Sequence, residues 1–484
     1  RVMSFHGAKV VCTYHPASVL RNWEVSPLFE SDIKKATLLI NSNGTPSVDY
    51  QCMSSVQEVE AMCKYLKSKE CFSTDTETTG YDFLSDKVLC CQFSSQKAEG
   101  FCVPLLGYKA AEIWSKKEKA AIIDLLRDLM QSSVEKVFTN AQFDILFLRK
   151  LGVREGPAVI WDVMLMHHLI NENISHSLNE MIIENCEPLF VSNHLKISQQ
   201  VREFAPSNSD SFSEVPPDLL HYYASGDADA TIRLYYNLRP RLRAEGLEEL
   251  YLKLTYPLML ATISMEERGI TIDLSMLKQA SAILHRRIEE TEKKLYSIVG
   301  KEFNPRSVVQ LRKIFEKLNL RSNKLTKKGN VSLDKTVLEQ LKSTHEFPRE
   351  LLTLRQLQKT ISTYLDGRDG HGGLLKEIKV DGRVHPRFFV HGTRYGRLSS
   401  SAPNFQSIPQ DPPEIRRMFT TKEGWKFIEA DYEKADLMVA AHISKDSALI
   451  ERLKGEDFHT DTAISVGLCK KNKKPTVLVN AIQQ

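Results

Sequence analysis

The sequence predicts an α/β fold in the first half of the chain and a helix-rich region after it. Apolar strand-like runs alternate with helical periodicity in the first half, which is typical of layered α/β domains. The predicted strands are residues 70–75, 88–93 and 100–103, and a helix is predicted over about 111–130. Beyond Pro240 the helices lengthen, with an apolar helix over 256–273 that ends at Gly269 and a charged amphipathic helix over 274–299.

Length and composition restrict the class of protein. A chain of 484 residues is too long for one hydrophobic core and suits about three domains. Its 9 cysteines are odd in number and lack a paired C-x-x-C pattern, which favours reduced thiols in a cytoplasmic compartment over disulfides or structural zinc. No run of about 18 apolar residues predicts a membrane span, and no signal peptide is evident. Because the first residue is Arg1 and not Met, we expect a piece of a longer protein.

The charge is unevenly distributed along the chain. The net charge is only +4, but residues 301–400 contain 21 Lys and Arg against 10 Asp and Glu, an excess of 11. Such a local excess is typical of a surface that binds a polyanion, with a lysine-rich solvated helix face as the alternative. Aromatic residues are sparse among these cations, which favours contact with backbone phosphates over base stacking.

The first predicted strand carries two carboxylates. Asp75 and Glu77 lie in STDTETTG, and residues two apart on a strand point to the same face of a sheet. Two like charges so close together are costly unless a cation lies between them. The strand therefore predicts a metal site.

Further polar residues recur at two later positions. The segment VFTNAQFD supplies Asn140 and Asp144 at the start of an amphipathic helix, and YASGD supplies Tyr223 and Asp227 on one face of another. With the two strand carboxylates, they suit a pair of divalent metals about 4 Å apart. In that arrangement one metal activates water, the other stabilises the leaving oxygen of a phosphodiester, and Tyr223 orients the attacking water.

These segments, in this order, resemble the three motifs of the DEDD-type 3′-to-5′ exonucleases, in the tyrosine-bearing subclass. Asp162 and the HSL segment at 176–178 also fall where the proofreading domain of family A DNA polymerases carries similar residues. The resemblance implies a ribonuclease H-like domain, two Mg²⁺ or Mn²⁺ ions per active site, and single-stranded 3′ ends of DNA as substrate. The roles that it implies are metal ligation by the four carboxylates, catalysis by Tyr223 and DNA binding by Asn140.

A second block, TRYGRLSSSAPNFQSIP, spans residues 393–409. Gly396 and the serine run permit close backbone approach, while Arg397, Asn404 and Gln406 are donors suited to minor-groove acceptors, which are similar in every base pair. The block resembles the family A motif that holds the primer–template end, and this implies DNA binding by these three side chains.

The stretch that follows predicts a second metal site. The apolar run WKFIEA at 425–430 predicts a buried strand that ends at Asp431, and helical spacing resumes from Asp436. Strand-to-helix switches are where α/β enzymes place metal ligands. In family A the matching Asp is catalytic and binds both metals, and Asp436 stands where a Glu that excludes the ribose 2′-hydroxyl is usual. The DFH segment at 457–459 resembles family residues that lie beside the incoming nucleotide. The resemblance implies nucleotide-binding roles for Asp436 and His459, and deoxynucleoside triphosphates as substrates.

The N-terminal segment VVCTYHPASVLRN resembles the C-terminal end of a uracil-DNA glycosylase superfamily domain, in which the matching His15 lies at the flipped uracil. The water-activating motif of that family is absent, so we expect no glycosylase activity. Later segments, including FNPRSVVQL and LRQLQKTISTYLDG, resemble the polymerase thumb and its approaches. The expected domains are a glycosylase-like tail, an exonuclease, a helical connection with thumb, and the first part of an α+β palm, at 1–36, 37–240, 241–366 and 367–484.

The polymerase family also carries a fingers helix and a second palm carboxylate that find no match before residue 484. We therefore expect a fragment cut at both ends, monomeric and without membrane contact, that degrades 3′ ends but does not extend a primer. A stand-alone exonuclease of the ribonuclease D kind is an alternative, but it leaves TRYGRLSS unexplained. A non-catalytic DNA-binding protein is another, and metal-dependent cleavage would distinguish it.

Overall fold

The structure is a computed structural model that describes residues 2–5, 8–22, 25–41, 46–205, 212–322, 324, 332–366, 373–409, 413–454, 458, 462 and 464. It divides into two compact units, Arg1–Thr420 and Thr421–Gln484. Among the helices that it describes, none combines the length and the apolar character needed to cross a membrane.

The N-terminal segment is a β-hairpin followed by two helices. These elements are β1 (Val2–Phe5), β2 (Ala8–Val11), α1 (Pro16–Arg21) and α2 (Ser26–Asn41). The imidazole of His15 caps α1, because its Nδ1 accepts a hydrogen bond from the backbone N–H of Ala17 at 3.1 Å.

A mixed sheet with helices packed on it follows, as the alternating pattern predicts. In chain order its elements are β3 (Asp49–Cys52), α3 (Val56–Lys67), β4 (Cys71–Thr78), β5 (Val88–Ser94), β6 (Glu99–Pro104), α4 (Lys116–Met130), β7 (Glu135–Phe138), α5 (Ala141–Lys150), β8 (Ile160–Asp162), α6 (Val163–Ile170), α7 (Leu178–Asn185), α8 (Pro188–Phe204) and α9 (Pro217–Ala244). The helix predicted over 111–130 begins instead at Lys116, because Ser115 and Glu118 form a capping box there.

The sheet has the strand order β3-β6-β5-β4-β7-β8. Strand β4 lies inside it, antiparallel to β5 and parallel to β7, and β3 is an edge strand parallel to β6. The strands β4, β5 and β6 are almost wholly buried, so their side chains are held on both faces by packing. This rigidity fixes the positions of the polar side chains that β4 carries.

Helix α9 lies unusually close to the sheet. Its buried face is built from small residues, including Ala224 and Ser225. A Cβ atom added to Gly100 of β6 would lie 2.8 Å from the Cβ of Ser225 and 2.9 Å from its carbonyl oxygen. Since real Cβ atoms do not approach so closely, only glycine at position 100 permits this spacing between helix and sheet.

The region after α9 is helical, as predicted. Its elements are α10 (Glu248–Leu250), a π-helix (Tyr251–Thr255), α11 (Tyr256–Arg268), β9 (Ile270–Ile272), α12 (Leu274–Val299), α13 (Val308–Lys317), α14 (Lys335–Leu341), α15 (Glu346–Tyr364) and α16 (Gly373–Glu377). The long helices α12 and α15 pack against each other over two apolar clusters. The helix α12 has the bounds that the amphipathic pattern predicts, and α11 ends at Arg268 before Gly269, whose φ is +62°.

Short strands complete the first unit. They and one helix are β10 (Arg383–Val384), β11 (Arg387–Phe389), β12 (Ser399–Ser401), α17 (Glu414–Arg417) and β13 (Phe419–Thr420). The strands β10, β9 and β13 form one small antiparallel sheet, and β11 with β12 forms a hairpin that presents the TRYGR segment in its connecting loop.

A histidine cluster lies where the hairpin loop meets the α/β layer. His167 Nδ1 is 2.9 Å from His176 Nδ1, and His168 Nδ1 is 3.0 Å from His176 Nε2. The ring of His391, in the hairpin loop, lies 6.2 Å from that of His176. On the other side, His167 Nε2 lies 3.3 Å from a carboxylate oxygen of Glu184. The cluster therefore links α6, α7 and the hairpin loop.

The second unit contains α18 (Ala435–Ser444) and α19 (Ser447–Leu453), and it corrects one prediction. The predicted helix after Asp436 is present, but residues 425–430 do not form a buried strand. Trp425 and Ile428 are 71% and 92% exposed. A strand forms only against a hydrogen-bonding partner, and no described strand of this unit pairs with the segment.

Candidate active site

Three carboxylates converge between the sheet and α9. Asp75 and Glu77 lie on the same face of β4, two residues apart, as the sequence predicts. Asp227, on α9, faces them, and one oxygen of each carboxylate lies within 4.8 Å of the other two. Glu77 and Asp227 are buried, and Asp75 is partly buried. The structure therefore brings together side chains that are separated by about 150 residues in the sequence.

The fourth predicted carboxylate, Asp144, lies in the first turn of α5 and is 1% exposed. Its Oδ1 accepts hydrogen bonds from the backbone N–H of Thr76 at 2.9 Å and from the Thr76 hydroxyl at 2.7 Å. Because Thr76 stands between the two carboxylates of β4, these bonds fix Asp144 against the same strand. Asp144 does not belong to the group of three carboxylates whose ligand oxygens all lie within 4.8 Å of one another.

The electrostatics of the cluster are unfavourable without a cation. Burial raises the pKa of Asp75 to about 7, although the hydrogen bond from Gln92 opposes the shift. Burial and the negative charge of Asp75 raise the pKa of Glu77, Asp144 and Asp227 well above the ordinary carboxyl range. These carboxylates repel one another in a poorly solvated site, which is the condition that a bound divalent cation relieves.

Tyr223 and His194 border Asp227. Tyr223 lies one helical turn before Asp227 on α9 and is hydrogen-bonded to it, and burial with the charge of Asp227 raises the tyrosine pKa well above its usual value. The phenol therefore stays protonated at neutral pH. His194 Nε2 approaches Asp227 Oδ1 to 3.2 Å without hydrogen-bond geometry, and burial lowers the histidine pKa to about 4.

The donor set fits a hard divalent metal ion. Asp227 Oδ1 is a buried oxygen without a hydrogen-bond partner among the described residues, and it faces two further carboxylates. Such an oxygen loses its hydration without compensation, and a bound cation would supply that compensation. Carboxylate oxygens are the ligands that Mg²⁺ and Mn²⁺ prefer, whereas no cysteine or histidine nitrogen belongs to this group of ligand atoms.

Asp162 fixes the start of the helix that carries Asp144. One of its carboxylate oxygens accepts from the N–H groups of Asn140 at 3.2 Å and Met164 at 2.9 Å, and the other accepts from the N–H of Ala141 at 2.8 Å. It thereby binds the N-terminus of α5 as well as capping α6. Asn140 adopts a left-handed conformation, with φ at +64°, which turns the chain from β7 into α5.

A cavity of about 370 Å³ opens beside these residues, between the α/β layer and the β11–β12 hairpin. Asn140 lines it together with Tyr81 and Phe143, whose rings lie edge to face at 6.0 Å. Arg387 and Phe388 line the opposite wall. Aromatic rings beside an amide and a cation are groups that can bind a nucleobase and its phosphate.

The three predicted DNA-binding side chains of the second block lie in one loop region. Arg397 is exposed and lies just before β12, and Asn404 and Gln406 are exposed just after it. The Gln406 amide donates to the carbonyl of Leu398 at 2.9 Å, and the side-chain oxygen of Asn404 accepts from the N–H of Gln406 at 3.0 Å. These bonds tie Asn404 and Gln406 to the segment that carries Arg397.

Two family models match the chain. The model described as 3′-5′ exonuclease matches residues 50–243, which contain the carboxylate cluster. The model described as DNA polymerase family A matches residues 274–475, which contain the hairpin and the second unit's helices. The chain belongs to the family A DNA polymerases. The predicted family and the α/β fold with its mixed sheet are thereby confirmed.

Curated relatives of this family A polymerase include the DNA polymerase I of Borreliella burgdorferi, 31% identical over 430 residues that cover 88% of this chain and 45% of that protein. The DNA polymerase I of Rhizobium leguminosarum is 34% identical over 342 residues, which cover 69% and 32%. The chain thus spans less than half the length of these relatives. The solved POL domain of Pol1 from M. smegmatis, in complex with DNA primer-template and dNTP, has a similar fold, with a TM-score of 0.68 at 22% identity over 90% of this chain and 70% of that one.

The predicted polymerase-site residues of this family A chain lie in the second unit. Asp431 is exposed in an irregular segment, and Asp436 is exposed in the first turn of α18. Asp431 belongs to no group of three His, Cys, Asp or Glu ligand atoms among the described residues. His459 lies outside the residues that the structure describes.

Two residues beside the cluster were not predicted from the sequence. Gln92 Nε2 donates to Asp75 Oδ2 at 2.6 Å, and His194 approaches Asp227 from α8. The signal for Gln92 is that a polar residue interrupts the apolar strand VLCCQFS. His194 carries no comparable signal, because its position depends on how α8 packs against α9.

Proposed function

We propose that this polymerase chain hydrolyses single-stranded DNA from its 3′ end at the carboxylate cluster, with two divalent ions, Mg²⁺ or Mn²⁺. The observation that carries the proposal is the convergence of Asp75, Glu77 and Asp227 within 4.8 Å, with Asp227 Oδ1 left without a hydrogen-bond partner among the described residues. A site that collects mutually repelling carboxylates in a poorly solvated pocket is built for cations. The match of residues 50–243 to the 3′-5′ exonuclease model supports the same reading.

In the proposed reaction, water attacks the terminal phosphorus and the bond to the penultimate 3′ oxygen breaks, which releases one nucleotide. When bound, the divalent ions supply positive charge that acidifies the water and neutralises the leaving oxygen. Asp75, Glu77, Asp144 and Asp227 would hold the ions. Tyr223, whose pKa is raised by burial, keeps its proton and positions the attacking water through its hydroxyl.

The neighbouring cavity offers a place for the 3′-terminal nucleotides. Tyr81 and Phe143 present aromatic surface, and Asn140 is both a cavity-lining residue and the N-cap of the helix that carries Asp144. Base stacking on aromatic rings tolerates any sequence, which a proofreading exonuclease requires because every base can be misincorporated. Arg387, on the opposite wall, is suited to contact a phosphate.

Hydrolysis of a 5′-labelled single-stranded oligonucleotide by the purified chain tests this proposal. We expect stepwise shortening from the 3′ end with Mg²⁺ or Mn²⁺, none with EDTA, and a loss on the order of a thousandfold in Asp75→Ala plus Glu77→Ala. Asp124→Ala is the matched control, because Asp124 is an exposed acid on α4, paired only with the half-buried Arg127 in the contacts described. Metal-dependent cleavage that survives the double substitution would assign the activity to another site.

The second candidate function is template-directed DNA synthesis, which the family A match over residues 274–475 favours. We infer that Arg397, Asn404 and Gln406 contact the minor groove of the primer–template end, while Asp431 serves as a metal ligand opposite the incoming deoxynucleoside triphosphate. Because this chain alone is expected not to extend a primer, the test uses a longer protein that contains it. Primer extension by that protein that is lost in Asp431→Asn but kept in Asp75→Ala plus Glu77→Ala would support this assignment. Extension that survives Asp431→Asn would exclude the metal role.

A further inference from the structure

Two thiols lie side by side at the edge of the central sheet, outside the carboxylate cluster. Cys52 is the last residue of the edge strand β3 and is exposed, whereas Cys102 on β6 is fully buried. The two residues are direct partners in the parallel register of these strands. Direct partners in a parallel pair point to the same face of the sheet, so the two sulfur atoms are neighbours.

A histidine completes the arrangement. His221, near the start of α9, places its Nδ1 3.2 Å from the Sγ of Cys52. A cysteine that is exposed and bonded to a histidine has the environment that favours a thiolate. The pKa of Cys52 is lowered to about 5, first by a hydrogen bond from Cys102 and then by His221, against the opposing effects of burial and of Asp218. Burial raises the pKa of Cys102 well above its ordinary range.

The two thiols therefore suit different roles in one reaction: Cys52 suits the thiol that is oxidised first, and Cys102 suits the resolving thiol that then forms the disulfide. Cys52 reaches solvent and has a base beside it, whereas Cys102 stays protonated and lies beneath it. We propose that Cys52 and Cys102 form a redox pair, in which Cys52 reacts with a hydroperoxide and Cys102 converts the product into a disulfide.

The chemistry of the pair balances in two steps. The Cys52 thiolate attacks one oxygen of the hydroperoxide, the O–O bond breaks, and the product is a sulfenic acid with loss of hydroxide or alkoxide. The sulfur of Cys102 then attacks the sulfenic sulfur, and the Cys102 proton leaves with the hydroxyl group as water. Two electrons pass from the thiols to the peroxide, and the original dithiol returns when an external thiol reduces the disulfide.

The strand geometry accommodates the bond. Neighbouring strands lie about 4.8 Å apart, and disulfides span Cα separations of about 4.4–6.8 Å. The bond would form at the end of β3, where the edge strand can move more readily than the inner strands. Cys102 also packs with Cys90 and Ala224, the residue after Tyr223, so the pair lies beneath the helix that carries Tyr223 and Asp227.

Peptide mapping of the oxidised chain tests the pair directly. The reduced protein is treated with hydrogen peroxide, blocked with N-ethylmaleimide, and digested without reductant. We expect a peptide linked through Cys52 and Cys102 that disappears with dithiothreitol and persists in Cys12→Ser, which removes the other exposed thiol among the described residues. Absence of that linked peptide, or oxidation of Cys12 at the same dose as Cys52, would overturn the proposal.

The role of His221 is tested by the pH dependence of alkylation with iodoacetamide. A thiol of low pKa is also a weaker nucleophile, so its alkylation rate at pH 7 alone does not reveal the low pKa. The dependence of the alkylation rate on pH does reveal it. We expect the Cys52 rate to be nearly constant from pH 6 to 8, whereas that of a simple cysteine peptide rises about tenfold per unit. His221→Gln should restore part of the pH dependence. A wild-type profile that rises like that of the peptide would refute the assignment of Cys52 as the reacting thiol.

Discussion

At the scale of single residues, the proposed exonuclease site depends on side chains that position others. Asp162 touches none of the three clustered carboxylates in the contacts described, yet it binds the first N–H groups of α5 and caps α6. Gln92 similarly orients Asp75 from the neighbouring strand. Both side chains are buried, so water cannot replace the hydrogen bonds that they make. Removal of either side chain would leave its buried partners without a hydrogen bond.

Asp162→Ala should therefore destabilise the exonuclease region by about 2–4 kcal/mol, because it removes one cap and leaves buried N–H groups without acceptors. Urea denaturation followed by circular dichroism measures the change. Ser177→Ala is the control, since Ser177 caps α7 at the surface and its loss should cost about 1 kcal/mol. Equal losses in the two variants would show that Asp162 acts as an ordinary cap.

Asp75→Asn should raise the melting temperature of the metal-free protein by about 2–4 °C, because it removes one of the repelling charges. The same substitution should reduce the further rise that Mg²⁺ produces in the wild-type chain by mass action. Thermal denaturation in EDTA and in a Mg²⁺ series gives both quantities, with Asp124→Asn as a control for loss of an exposed acid. A lower melting temperature for Asp75→Asn in EDTA would contradict the repulsion that we describe.

At the scale of elements, a cluster of histidines joins α6 and α7 to the loop of the β11–β12 hairpin. Burial, together with the charges of the other histidines, lowers the pKa of His176 to about 3, and burial lowers that of His391 to about 4. The groups that face this cluster from the packed elements are Glu172, Glu184 and, around Glu184, Lys34 and Arg241. In each hydrogen bond between two of these rings, one ring nitrogen must be unprotonated so that it can accept the bond.

The sign of the pH effect follows from these depressed pKa values. Above the unfolded pKa of about 6.5, His176 and His391 are neutral in both states. As the pH falls from there toward 4, these two residues take up protons only in the unfolded chain, so the folded state loses stability. Each such histidine contributes up to about 1.4 kcal/mol per pH unit. His176→Asn should therefore show a smaller fall in melting temperature between pH 7 and pH 5 than the wild type.

The difference in this fall between wild type and His176→Asn reports the contribution of His176 alone. Both proteins retain the carboxylate cluster, whose raised pKa values change the stability in the opposite direction as the pH falls. His285→Asn is a control because His285 lies on α12, outside the cluster, with a side chain that is 43% exposed. Parallel pH profiles for wild type and His176→Asn would show that the cluster does not contribute to stability.

Elements also show what the sequence can and cannot predict. The strand β4 follows from a short apolar run, and the helices α9 and α12 follow from helical spacing. The wrong strand at 425–430 has an equally apolar pattern, but pattern alone does not supply a hydrogen-bonding partner. Similarly, the contact of Gln92 with Asp75 depends on the β4–β5 register, and the approach of His194 to Asp227 depends on how α8 packs against α9. Local sequence patterns predict neither the register nor the helix packing.

At the scale of the whole molecule, the proposed exonuclease site and the proposed primer-binding surface lie on different elements of the first unit. The carboxylates belong to β4, α5 and α9, whereas Arg397, Asn404 and Gln406 surround β12. The two sets of residues do not share a hydrogen bond among those described. Binding of duplex and cleavage of single strands should therefore be separable by substitution.

Arg397→Ala should weaken primer–template binding about fivefold to tenfold, with a smaller salt dependence, because one cationic donor is removed. Fluorescence anisotropy at two salt concentrations measures this, and the single-strand exonuclease rate should stay unchanged. Asp75→Ala plus Glu77→Ala is the reciprocal control, with unchanged duplex affinity and no cleavage. If Arg397→Ala slowed single-strand cleavage as much as it weakened binding, the two surfaces would act as one.

The glycine at position 100 has a consequence for ion selectivity. The distance from Asp227 to the β4 carboxylates is set by how closely α9 approaches the sheet, and Gly100 permits that approach by leaving room for Ser225. A methyl group there would push the helix outward and widen the ligand cage. The site would then favour larger cations such as Ca²⁺ over Mg²⁺, which demands short and regular bonds. A glycine outside the proposed metal site would thus limit which ion that site can hold.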